Sequence, residues 1–140
     1  MKIRPPAVAG AFYEADEERL RLHLMSMLAG AGSHGRIRPK VLIVPHAGYG
    51  YSGTIAAQAY ATLAPVAADI ARVVLFGPAH RVPLEGMAVP DADAFATPLG
   101  MVPLDRDVMQ AACAFPGVCI SNEAHRLEHS LEVQLPFLQT

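Results

Sequence analysis

One pattern constrains this chain more than any other, and it occurs twice: a short apolar run feeding a proline- and glycine-bearing turn that carries a histidine. Val41 to Gly53 reads VLIVPHAGYGYSG, and Val73 to Arg81 reads VVLFGPAHR. Four apolar residues ending at Pro45 or at Gly77-Pro78 predict buried strands with polar loops at their carboxyl ends. His46 and His80 then sit at the two strand tips. Between them, Ser52 or Gly53 can cap a helix from Thr54 to about Leu63, with Ile55, Ala59 and Leu63 facing inward. Strand, helix and strand make a βαβ unit, whose crossover is right-handed and whose strands are parallel. An α/β fold follows, with both histidines on the sheet edge where such folds bind ligands.

The remaining segments fit around that unit. Pro5 and Pro6 forbid helix at the N-terminus, so residues 1 to 13 read as an apolar strap with Gly10 free to take an unusual backbone angle. Asp16 caps a helix to about Ala29, with Leu20, Leu24, Met27 and Leu28 on one side and Gly30 as its stop. His23 on this helix and His34 in the linker after it read as solvated. Gly86 to Pro90 and Val118 to Ser121 are short strands, and Asp105 caps a helix to about Phe115. The stretch from Asp91 to Leu104 alternates prolines with apolar residues and reads as loops and short extended pieces. In the last segment His125 with His129, and Glu128 with Glu132, fall one helical turn apart, Leu131 and Leu135 face inward, and Pro136 ends or kinks the helix.

Composition sets outer bounds. A chain of 140 residues with 52% hydrophobic and 17% charged residues is one domain with ample core, apolar enough to expect an extensive interface. A net charge of -2 without a basic stripe gives no handle for nucleic acid or an anionic membrane. No run approaches the roughly 20 apolar residues that span a bilayer, and the prolines interrupt any signal peptide, so the expected location is the cytoplasm. Cys113 and Cys119 fit neither a CxxC pair nor a zinc knuckle and read as reduced thiols.

Two matched strand-tip histidines suit a metal, because imidazole ligates zinc, copper and iron and a pair needs only one or two further donors. The plainer account of either alone is a hydrogen bond that ties its loop. Tyr49, Tyr51 and Ser52 would line the same pocket as donors, with aromatic packing the alternative for either tyrosine. His125-Arg-Leu-Glu128-His129 matches the HxxEH zinc motif of inverted zincin peptidases. That pattern is short, and no distant acidic ligand follows it. A solvated charged face, or a supporting or substrate-contacting role for Glu128 and His129, competes with it. The loop PHAGYGYSG is neither GxGxxG nor a Walker loop, which leaves nucleotide binding without support. Asp91, Asp93 and Glu123 could ligate a cation but read more simply as turn formers and caps.

Taken together, RPPAVAGAFY at 4 to 13, VPHAGYGYSG at 44 to 53, GPAHR at 77 to 81, ATPLG at 96 to 100 and EHSLEVQLPFLQ at 128 to 139 resemble the Memo family. This group supplies the B component of the AmmeMemoRadiSam system. The resemblance implies a three-layer α/β/α sheet like that of class III extradiol ring-cleaving dioxygenases. It also implies a non-haem iron or copper site, zinc being a further option, with His46 and His80 as ligands and His129 in the same cleft as a supporting acid or base. A radical SAM protein of the same system and a peptide ligand are the partners it implies. Family members are about twice as long, and their third metal-position residue is a cysteine in the second half that neither Cys113 nor Cys119 matches. Residues 1 to 140 are therefore expected to be a truncated, N-terminal half of a Memo domain, with a third ligand missing and apolar surface open to self-association. A non-catalytic binding module and an inactive remnant are the rival expectations.

Overall fold

The computed structural model describes residues 1–32 and 38–140, so the expectation for His34 lies outside the described residues. Among the described residues, five short strands and five α-helices with two 3-10 segments make a mixed α/β architecture. Strand β1 (Ile3–Arg4) runs parallel to β3 (Ala94–Thr97), and β3 turns back antiparallel onto β4 (Gly100–Pro103) through Pro98 and Leu99. The sequence reading of 91 to 104 as loops and short pieces missed that this stretch closes into a hairpin. Its signal is the Pro-Leu-Gly turn, where Gly100 takes a φ of 117°. A second sheet pairs β2 (Met87–Val89) parallel to β5 (Val118–Ile120), both close to the expected bounds. Gly86 and Gly117 meet at the foot of this pair, where a Cβ on Gly86 would stand 2.1 Å from the Gly117 carbonyl oxygen.

Helix α1 (Glu17–Gly30) forms as expected, since the Asp16 carboxylate accepts the Arg19 N–H and Leu20, Leu24 and Met27 are buried. Helix α2 (Tyr49–Ala61) starts five residues earlier than the sequence suggested and buries a different stripe, Tyr49, Gly53, Ala56, Ala57 and Tyr60. Ile55, expected inside, is exposed. Aromatic packing sets the helix's rotation: Tyr49 lies against Phe137 at 5.0 Å and Tyr60 stacks on the same ring at 4.9 Å. Gly53 is needed because α1 comes close there, and a Cβ would fall 2.7 Å from the Met27 sulfur. Helix α3 (Arg106–Ala112) follows its Asp105 cap.

The last segment departs most from expectation. It is not one helix but α4 (Asn122–Arg126), a non-helical stretch, a single 3-10 turn (Glu132–Gln134) and α5 (Leu135–Gln139). Pro136 sits in the first turn of α5, where its missing N–H costs nothing, so it starts a helix instead of ending one. Glu132, one of two residues expected on a charged face, is fully buried. Its carboxylate pairs with Arg4 and accepts N–H bonds from Ala7 and Val8 at 2.9 and 3.0 Å and the Tyr13 hydroxyl at 2.6 Å. The N-terminal strap is thereby clamped to the C-terminal segment. Three tyrosines donate to consecutive residues of that segment: Tyr13 to Glu132, Tyr49 to the Val133 carbonyl and Tyr60 to the Gln134 side chain. Burial raises the pKa of all three phenols, so each stays a donor.

The two founding strands are extended but join no ladder among the described residues. Leu42, Val44 and Leu75 pack toward the core, whereas Val41, Ile43, Val74 and Phe76 face solvent, Ile43 at 97% and Phe76 at 78% exposure. Residues 41–44 alternate exposed and half-buried as a strand does, whereas in 73–76 only Leu75 is covered and Val73 is exposed as well; the neighbouring strands of the βαβ reading are absent among the described residues. Among the described residues no helix is long and apolar enough to cross a membrane.

Candidate metal centre

Without a ladder, something else must hold the two histidine-bearing tips, and the segment from 128 to 134 does so. The Gln134 amide donates to the Pro45 carbonyl at 3.1 Å, next to His46. The Ser130 hydroxyl donates to the Pro78 carbonyl at 2.9 Å, two residues before His80. One oxygen of Glu128 lies 2.9 Å from the His80 ring Nδ1, and the other accepts the His80 backbone N–H. Gly77 is required for this approach, since a Cβ there would lie 2.7 Å from the Ser130 hydroxyl oxygen. Side-chain bonds thus replace strand pairing as the source of alignment.

The result is a cluster of three imidazoles. One ring nitrogen each of His46, His80 and His129 lies within 4.8 Å of the others. Ring centroids are 5.2 Å apart for His46 and His80, 5.8 Å for His46 and His129, and 4.7 Å for the stacked His80 and His129. The Phe12 ring packs against His129, with centroids 4.6 Å apart. Tetrahedral zinc holds nitrogens at about 2.0–2.1 Å, which requires neighbouring ligands to stand roughly 3.4 Å apart. The nitrogens, up to 4.8 Å apart, would have to draw together to that spacing around an ion.

Imidazole ligates in its neutral form, and at His129 the surroundings favour that form. Burial lowers the pKa of His129, and the neighbouring His80 and His46 push it the same way against the attraction of Glu128. Burial would raise the Glu128 carboxyl, but N–H groups of His80, Ser130 and His129 outweigh it and hold the pKa down at about 2. His129 Nδ1 lies 3.2 Å from the same carboxylate oxygen without making a hydrogen bond, and is buried with no other partner. An ionised carboxylate only accepts, so the proton of a neutral His129 belongs on this Nδ1 and its lone pair on Nε2 is the one a metal could use. The all-imidazole donor set suits zinc, copper, iron or nickel better than calcium or magnesium.

The other expected site residues fall differently. Tyr49 is buried in the core with its hydroxyl spent on Val133, so packing is its role here. Tyr51, on the first turn of α2, is 92% exposed. Glu128 is buried with both oxygens engaged. His125 does not join the cluster: α4 ends at Arg126, and the His125 ring bonds the Ala88 carbonyl at 3.0 Å. The HxxEH spacing therefore makes no zincin-like pair. His23 is half-buried and bonds Glu14 at 2.9 Å, not free in solvent. Asp91 and Asp93 pair with Lys2 and Arg106, and Glu123 with Arg126. Ser130, Gln134 and Phe12 were not singled out as functional in the sequence, though all three lie inside the motifs that carried the resemblance.

Comparison with known proteins agrees with those motifs. Residues 4–140 match the family model described as Memo-like protein. A MEMO1 family protein of Aquifex aeolicus is 43% identical over 140 residues, covering 99% of this chain and 50% of the relative. Another from Methanothermobacter thermautotrophicus is 40% identical over 147 residues, covering 98% and 52%. A third, from Methanosarcina barkeri, is 40% identical over 140 residues, covering 98% and 49%. The chain spans about half the length of the curated relatives it matches.

Proposed function

The chain belongs to the Memo-like protein family, and from that premise we propose that it is a metal-binding protein whose ion is held by His46, His80 and His129. The observation that carries this reading is the convergence of three imidazoles, one ring nitrogen of each lying within 4.8 Å of the others. In this reading His129 is a ligand within the chain, a more direct part than the supporting acid or base implied by the resemblance. Iron or copper fits the dioxygenase-like, three-layer architecture that the resemblance suggests, and zinc fits the donor set equally. A bound redox ion would supply oxygen or hydroxyl activation. The protein's own contribution is to hold three rings on a side-chain scaffold and to shield one face with Phe12. The test is anaerobic calorimetric titration of the metal-free chain with Fe(II), Cu(I) and Zn(II). One ion per chain, lost in His46→Ala/His80→Ala, supports the reading, and uptake unchanged in that variant refutes it.

A second reading rests on a separate observation. The solvent-facing side chains of the two extended segments, Val41, Ile43, Val74 and Phe76, form apolar surface beside the cluster. A protein partner, such as a radical SAM protein of the same system, a peptide, or a second copy of this chain, would cover it. Ile43→Glu/Phe76→Glu should then abolish self-association in sedimentation velocity, or partner capture, while leaving metal uptake intact.

A further inference from the structure

We infer that Glu128 is a positioning residue: its carboxylate selects the metal-binding tautomer of His80 and locks the His80 tip to the His129 segment. This rests on the metal-binding reading above. An ionised carboxylate has only acceptor sites, so the ring nitrogen facing it must carry the proton. His80 Nδ1 lies 2.9 Å from Glu128 Oε1, which leaves the lone pair on Nε2. Second partners of this kind fix both tautomer and ring orientation at metal sites and raise ligand basicity.

The same carboxylate does more than orient one ring. Oε2 accepts the His80 backbone N–H, so the residue is gripped at both its main chain and its side chain. Oε1 also accepts the backbone N–H groups of His129 and Ser130 at 2.8 and 2.9 Å. Two ligands 49 positions apart in sequence are therefore gathered by one side chain, and among the described residues no strand pairing does that work. His80 is the most exposed of the three rings, 39% against 14% for His129, and so has the most freedom for Glu128 to remove. A carboxylate with a purely structural role would tie the loops but leave the His80 tautomer to solvent.

The deciding measurement is long-range ¹H–¹⁵N correlation on the imidazoles of the metal-free wild-type chain, with Zn(II) titrations of wild type, Glu128→Gln and Glu128→Ala. Expected are an Nδ1–H His80 in wild type, conversion to Nε2–H in Glu128→Ala, and Zn(II) affinity lowered about 10–100-fold. The glutamine variant, which keeps one acceptor oxygen, should fall between. An Nε2–H His80 in wild type overturns the proposal without any mutation, and so does wild-type Zn(II) affinity in either folded variant. Failure of the wild-type chain to take up Zn(II) would remove the metal reading, while the tautomer would still decide the hydrogen-bond assignment.

Discussion

Replacing Glu132 should be among the most damaging single changes in this protein. Its carboxylate is fully buried and takes an ion pair from Arg4, itself 7% exposed, two backbone N–H groups and a phenol. Removing one partner of a buried pair leaves the other charge uncompensated, at about 3–5 kcal/mol. Each orphaned neutral donor adds about 1–3 kcal/mol before relaxation, and these contributions are not additive. Glu132→Ala should therefore cost about 4–5 kcal/mol, a large part of the roughly 5–15 kcal/mol that stabilises a typical domain. Glu132→Gln keeps an acceptor for Val8 and Tyr13 but turns an amide toward Arg4, and should cost about 2–3 kcal/mol. The Arg4→Met/Glu132→Leu pair removes both charges together and should cost clearly less than the sum of its singles. Equilibrium urea unfolding followed by circular dichroism measures all of these. A Glu132→Ala loss below about 1 kcal/mol, or additive singles, would refute the clamp.

Three further outcomes follow from the same geometry. Tyr60→Phe removes the bond to Gln134 while keeping the stack on Phe137, so it should cost about 1 kcal/mol, or about 3–4 °C in a thermal melt. Gly86→Ala puts a Cβ into the Gly117 carbonyl at a φ of 85°, and should lower stability by about 2–4 kcal/mol by urea unfolding. Burial lowers the His125 pKa, and Arg4 acts in the same direction against the Ala88 bond and Glu128. Above pH of about 6.5 both folded and unfolded His125 are neutral and contribute no slope. Below it the unfolded chain takes up the proton first, and stability falls by up to about 1.4 kcal/mol per pH unit until folded His125 protonates too. His125→Gln should flatten the pH dependence of the urea midpoint between pH 7.5 and 5.5, and an unchanged slope would contradict the assignment.

What could be read from the sequence was whatever depends on local chemistry. Asp16 and Asp105 capped their helices, the apolar stripe of α1 was buried, and the two histidines lie 5.2 Å apart, though not on the sheet edge the repeated pattern implied. Long-range pairing was not legible. Nothing in VLIV or VVLF says whether a neighbouring strand is present, and the ladder expected between them is absent among the described residues. The last segment misled for a related reason: helical spacing at His125, Glu128, His129 and Glu132 looked amphipathic, but Arg4 and His80 draw the two glutamates inward and break the helix. Buried polar networks of that kind override periodicity, and only the partner's position in space reveals them. His129 gained its place in the cluster from the same break.

The most direct test of the central claim is X-ray absorption fine structure at the zinc edge of the Zn(II)-loaded chain, beside its His129→Ala variant. Multiple scattering from imidazole rings counts histidine ligands. The account predicts three imidazoles at about 2.0 Å in the wild type and two in the variant. Equal imidazole counts in the two proteins, or a wild-type shell without imidazole, would contradict a centre built from His46, His80 and His129.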